Sequence, residues 1–98
     1  MESFDKQPRE AYVIGIEWQG KLPPGAALFT CGVEATRYPD LVLDNSVIAN
    51  TLATVSSTQT FIQVRAGTHG HDYRISFFPT LTNGDILEED VLMRVREL

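Results

Sequence analysis

The segment AYVIGIEW alternates strictly: Tyr12, Ile14, Ile16 and Trp18 fall on one side of an extended chain, and Val13, Gly15 and Glu17 on the other. A period of two belongs to a β-strand with one covered face, and no helix reproduces it. The signature recurs toward the C-terminus. TFIQVRA sets Ile62 and Val64 against Phe61, Gln63 and Arg65; YRISFFPTL puts Tyr73, Ile75 and Phe77 on one face; ILEEDVLMRVREL groups Val91, Met93 and Val95. Between these, AALFTCGVEAT reads as a strand kinked at Gly32, and LVLD, SVIAN and TLATVSS are short β-prone pieces rich in Val, Ile and Thr. QGKLPPG and RYPD carry the Pro, Gly and Asp of loops and turns. No helix-length 3.6 period and no internal repeat interrupts the pattern. About seven short strands predict an all-β fold, an immunoglobulin-like antiparallel β-sandwich.

Ninety-eight residues hold one core and no second. Residues 1–10 are polar and contain a proline, and read as an N-terminal arm or edge segment. Residues 11–98 are the sandwich. The opening MESFDKQPRE lacks a basic start followed by an apolar run, so no secretory leader is expected, and no apolar run approaches the roughly 20 residues of a membrane-spanning helix. A net charge of −5, with Lys6 and Lys21 the only lysines, disfavours nucleic acid and anionic membranes as partners. Cys31 is the only cysteine, which excludes an intrachain disulfide and a cysteine-rich zinc site.

The register of the last hairpin can be argued from its side chains. Asn83-Gly84 as a two-residue turn would set Phe77 opposite Asp90, mixing an apolar face with a polar one. One more loop residue pairs Leu81 with Leu87, Phe77 with Val91, Ile75 with Met93 and Tyr73 with Val95, so the longer loop is expected. Pro79, which lacks an N–H, implies an edge or a bulge where it falls.

The stretch GTHGHDYRISFF poses the one question of chemistry. His69 and His71 with Asp72 could aim at a metal, but they are the only histidines and sit in a glycine-rich loop. Gly67 and Gly70 instead suit a tight connection with positive φ, and Tyr73 follows at the strand start, where a tyrosine corner bonds back to nearby backbone. That makes Gly67, Gly70 and Tyr73 a structural corner and the histidines solvated loop residues. Asp85, Glu88, Glu89 and Asp90 do not converge on a cation, because Glu89 alternates with Glu88 and Asp90 across the strand, and their spacing is not that of a calcium loop. Cys31 has no histidine at a diagnostic spacing and reads as a small buried hydrophobe. No catalytic residue, cofactor site or metal site is assigned. On the non-core face of the last hairpin, Arg74, Ser76 and Phe78 lie with Asp90, Leu92 and Arg94. Arginine beside aromatic and aliphatic side chains is the composition of a protein interface, and Arg74, Phe78, Leu92 and Arg94 are its candidates.

KQPREAYVIGIEWQGKLPPGAALFTCGV and TFIQVRAGTHGHDYRISFFPTLTNGDILEEDVLMRVRE together resemble small tailed-phage or prophage virion proteins, the fibre–tail adaptor or head–tail structural proteins. Lys6, Pro8, Trp18, Gly67, Thr68, Gly70, Tyr73, Gly84, Glu88 and Val95 stand at the places of that pattern; KLPPGA and Pro79 depart from it. The resemblance covers nearly the whole chain and is densest from Gly67 onward. It implies a non-enzymatic virion component, made in a bacterial cytoplasm and joined to other virion proteins, with self-association as a further option, through the N-terminal arm and the last hairpin. Two rival readings remain at this point. One is a carbohydrate-binding or adhesion module of the same fold, for which Trp18 is the best platform although it falls in phase with Ile14 and Ile16; the other is a metal-dependent enzyme using His69 and His71.

Overall fold

The computed structural model describes residues 1–97. Eight strands follow in order: β1 (Glu2–Lys6), β2 (Tyr12–Glu17), β3 (Leu28–Tyr38), β4 (Val42–Leu43), β5 (Thr54–Val55), β6 (Gln59–Val64), β7 (Asp72–Leu81) and β8 (Glu89–Val95). One sheet has the order β1-β8-β7-β3-β4 and the other β2-β6-β5, and the two pack as a sandwich. Every pairing is antiparallel except β1, which runs parallel to β8. Among the described residues, no helix is long and apolar enough to cross a membrane.

SVIAN is only partly extended. Asn45–Val47 form a single 3-10 turn, because the Asp44 carboxylate accepts from Ser46 N at 3.2 Å and Asn45 Oδ1 accepts from Ala35 N at 2.8 Å. Such short polar side chains offer the backbone an alternative to a ladder. Beyond the turn the chain laces the two sheets together along one side. Val33 N donates to Thr51 O at 2.9 Å and Ala53 N to Cys31 O at 2.9 Å, while Ala49 N donates to Gln63 O at 3.0 Å.

The alternation read from the sequence sorts the faces. Val33, Ala35, Ile75, Phe77, Val91, Met93 and Val95 from the large sheet meet Ile62, Val64 and Trp18 from the small one, all buried. Trp18 is 0% exposed and its Nε1 donates to Thr60 Oγ1 at 2.9 Å, which satisfies two polar groups inside the core.

β1 is held by an unusual core member. Lys6 is 1% exposed, and its Nζ donates to Ala66 O at 2.6 Å, Gln7 O at 2.7 Å and Pro8 O at 3.4 Å. Burial lowers the pKa of this ammonium, and the carbonyls replace its water. Ala66 and Gly67 have φ of +53° and +97°, a bend that brings the Ala66 carbonyl within reach of Lys6. The chain then turns through Gly70 (φ +88°), whose N–H bonds Val95 O at 2.9 Å, and the Tyr73 hydroxyl accepts from Thr68 N at 3.1 Å.

The last hairpin corrects the expected register. Leu81 N donates to Asp85 O at 2.8 Å and Gly84 N to Leu81 O at 3.0 Å, so the loop is the three residues Thr82, Asn83 and Gly84. The loop length is as expected but its position is not. A three-residue loop of this kind needs a left-handed residue last, and Gly84, with φ +92°, takes that place. The strands therefore pair Tyr73 with Met93, Ile75 with Val91 and Phe77 with Glu89, two residues away from the all-apolar set Leu81–Leu87, Phe77–Val91, Ile75–Met93 and Tyr73–Val95. A shift of two keeps every side chain on its face. Glu89, left on the core side at the rim, is paired by Lys21. Gly84→Ala is expected to cost about 1–2 kcal/mol, the price of an L-residue in left-handed backbone, seen as a lower urea midpoint at unchanged slope.

Pro79 lies in a central strand, yet at an interruption. The β7–β8 ladder ends at Phe77–Glu89 and resumes only as an isolated bridge between Thr80 and Ile86, with Leu87 N donating to Pro79 O at 3.1 Å. The missing donor falls where β8 has no strand to receive it.

Candidate protein interface

The outer face of the large sheet is built from the even positions of β7 and β8 and their neighbours on β3 and β1. Thr36, Arg74 and Leu92 form one cross-strand row, with Ser3 beyond them on β1. Asp72, Arg94 and Asp5 form the next row, and Glu34, Ser76 and Asp90 lie on the other side. The structure thus brings Arg74, Leu92 and Arg94 together, and Phe78 lies farther along the same face.

Their environments differ. Phe78 is half-buried because its ring lies over Gly32, where an added Cβ would come within 2.2 Å of Cε2. Leu92 is half-buried too. Arg94 Nε donates to Asp5 Oδ1 at 2.8 Å, and Arg96 Nη2 to Asp72 Oδ1 at 2.8 Å. Both pairs are exposed enough to add little stability. Thr36 Oγ1, Arg74 Nε and Asp90 Oδ1 are buried atoms without a hydrogen-bond partner among the described residues. The Asp90 charge, and a hydrogen bond with it, push the Glu88 carboxyl above its usual range, with Arg74 pulling the other way.

Further exposed apolar side chains lie elsewhere. Phe29 and Ile86, each 68% exposed, flank Thr80 at the hairpin end of the same sheet, and Leu41, Val42 and Leu43 protrude at the β3–β4 turn. Phe29 escaped the reading of AALFTC because a register shift between Leu28 and Thr30 turns it out of the alternation. Val42 and Leu43 form an edge strand of two residues, too short for a face to be read from period two.

His69 Nδ1 accepts from Glu97 N at 2.9 Å, and among the described residues no group of three or more His, Cys, Asp and Glu side chains converges as a metal site. Cys31 is buried, which raises its thiol pKa. Trp18 is closed to solvent and displays no face on which a sugar could stack.

A family model described as the podophage GP4 fiber-tail adaptor protein gp77 matches residues 6–94. No curated protein matches the chain. The family match starts at the buried Lys6, takes in the corner and the last hairpin, and runs to Arg94 in β8, nearly the whole sandwich. The chain belongs to the podophage GP4 fiber-tail adaptor protein gp77 family.

Proposed function

We propose that this chain is a non-enzymatic joining piece of a podophage particle, linking fibre and tail components through protein–protein contacts. The observation that carries this is the family match over residues 6–94. An immunoglobulin-like module suits the role, and the strand order supports that assignment. β2-β6-β5 takes the places of strands B-E-D, and β8-β7-β3 those of G-F-C. The contact face is the outer side of the large sheet, where Arg74, Phe78, Leu92 and Arg94 continue toward the exposed Phe29 and Ile86. Mass spectrometry of purified particles, with the major capsid protein as internal standard, tests the reading. The chain is expected at a fixed ratio to capsid; complete particles without it would overturn the proposal.

A further inference from the structure

The small sheet ends at β2, and its outer edge is bare. Trp18 N donates to Thr58 O at 2.8 Å, and the same alternation turns the backbone groups of Ile16, Ile14 and Tyr12 toward β6. The N–H and C=O of Val13, Gly15 and Glu17 therefore point away from the sheet, without a backbone partner among the described residues. An edge of six residues with no proline and one charge is the kind that proteins usually blunt. β1, which could have covered it, is committed to β8 in the other sheet.

The bare edge leaves a seam between the sheets. Phe4, Tyr12, Ile14 and Ile16 pack against the core but stay half-buried. At one end the seam is closed, by a 3.3 Å bond from the Tyr12 hydroxyl to Asp5 O and a 6.3 Å ring contact between Phe4 and Tyr12. Toward Glu17 it opens into a groove of about 370 Å³ lined by Glu2, Gly15, Ile16, Glu17, Lys21 and Glu89. Lys21 is taken by Glu89, which leaves the charges of Glu2 and Glu17 without a cation in the groove.

We propose that this edge is a strand-acceptor site. An extended segment of another protein, apolar at alternate positions and carrying Lys or Arg near Glu2 and Glu17, adds to β2 as a further strand of the small sheet. Main-chain bonds to Val13, Gly15 and Glu17 hold it, its apolar side chains cover Ile14, Ile16 and Phe4, and its basic end meets the acidic groove. A second copy is the wrong occupant, because its own edge strand, Tyr12–Glu17, has no Lys or Arg to offer Glu2 and Glu17. The inference rests on the adaptor reading only for the source of the segment.

The test is amide hydrogen exchange on the full chain, alone and with a short synthetic peptide that alternates valine and threonine. Lysines at its N-terminal end lie opposite Glu17 when it pairs antiparallel to β2. The peptide is expected to slow exchange at Val13, Gly15 and Glu17, and the same peptide with glutamates in place of lysines is not. Val13→Pro removes one edge N–H at a position where proline is tolerated, and is expected to weaken binding about tenfold. Should that variant fold poorly, Glu17→Lys is expected to weaken the lysine peptide instead. Free exchange of the three amides at saturating lysine peptide, protection on another strand, or self-association through this edge in sedimentation would each overturn the proposal. The same amides exchanging freely in particles that contain the chain would sink the strand-acceptor site and leave the adaptor reading standing. Absence of the chain from particles would do the reverse.

Discussion

Trp18→Ala is expected to remove about 3–5 kcal/mol of folding stability, the range for truncating a large buried aromatic. For a domain of this size that lowers the thermal midpoint by more than about 12 °C. Three effects act together. The ring is fully buried between the sheets, so its loss leaves a cavity that the two ladders cannot close. Thr60 Oγ1, itself buried, loses the donor 2.9 Å away. Lys21, whose Nζ lies 5.4 Å from the ring centroid, loses its platform at the rim. Trp18→Phe separates the terms, since it keeps much of the ring volume and removes the N–H; about 1–3 kcal/mol is expected there. A loss below about 1 kcal/mol for Trp18→Ala, in chemical denaturation at unchanged slope, would mean that this residue is not the centre of the core.

Lys6→Met is the second large effect, at about 2–4 kcal/mol. Two terms compete. Removing the ammonium relieves the cost of burying a charge, which is why replacing a whole buried polar pair by apolar groups is often neutral. Here only one side is removable. The carbonyls of Ala66 and Gln7, 2.6 and 2.7 Å from Nζ, belong to the backbone and stay behind without a donor. Each unsatisfied carbonyl costs about 1–3 kcal/mol, and the methionine stem recovers only the packing of the lysine methylenes. The variant is also expected to expose residues 1–8 to proteolysis while β7 keeps its slow exchange. Stability within about 0.5 kcal/mol of the parent would show that water replaces the lysine at those carbonyls.

Both predictions concern residues whose burial could be read only in part before the structure. Trp18 was legible as a core residue because it falls in phase with Ile14 and Ile16, and period two decides a face without any knowledge of partners. Lys6 was not. Its role depends on a carbonyl sixty residues away, delivered by the left-handed Ala66 and Gly67, and no local pattern reports that encounter. The last hairpin divides the same way. Side-chain parity fixed its faces and excluded the two-residue turn, but sliding by two preserves the faces, so hydrophobicity could not choose between registers. The position of Gly84 in the loop chose. The candidate interface was legible as a face and not as a surface. Arg74, Phe78, Leu92 and Arg94 share one side of the sheet, whereas the ring of Phe78 settles over Gly32, and the most exposed aromatic, Phe29, is turned out by a bulge.

The parallel pairing of β1 with β8 has a mechanical meaning for a molecule whose longest axis is 44 Å. Because the first and last strands run the same way, the two ends of the chain leave the sandwich in opposite directions. A pull between them loads the β1–β8 ladder lengthwise, so the rungs from Glu2–Val91 to Lys6–Val95 share the load and must yield together. Antiparallel end strands would instead peel apart one rung at a time. The arrangement lets the domain carry tension end to end, as a link in a chain does, with Lys6 anchoring the last rung.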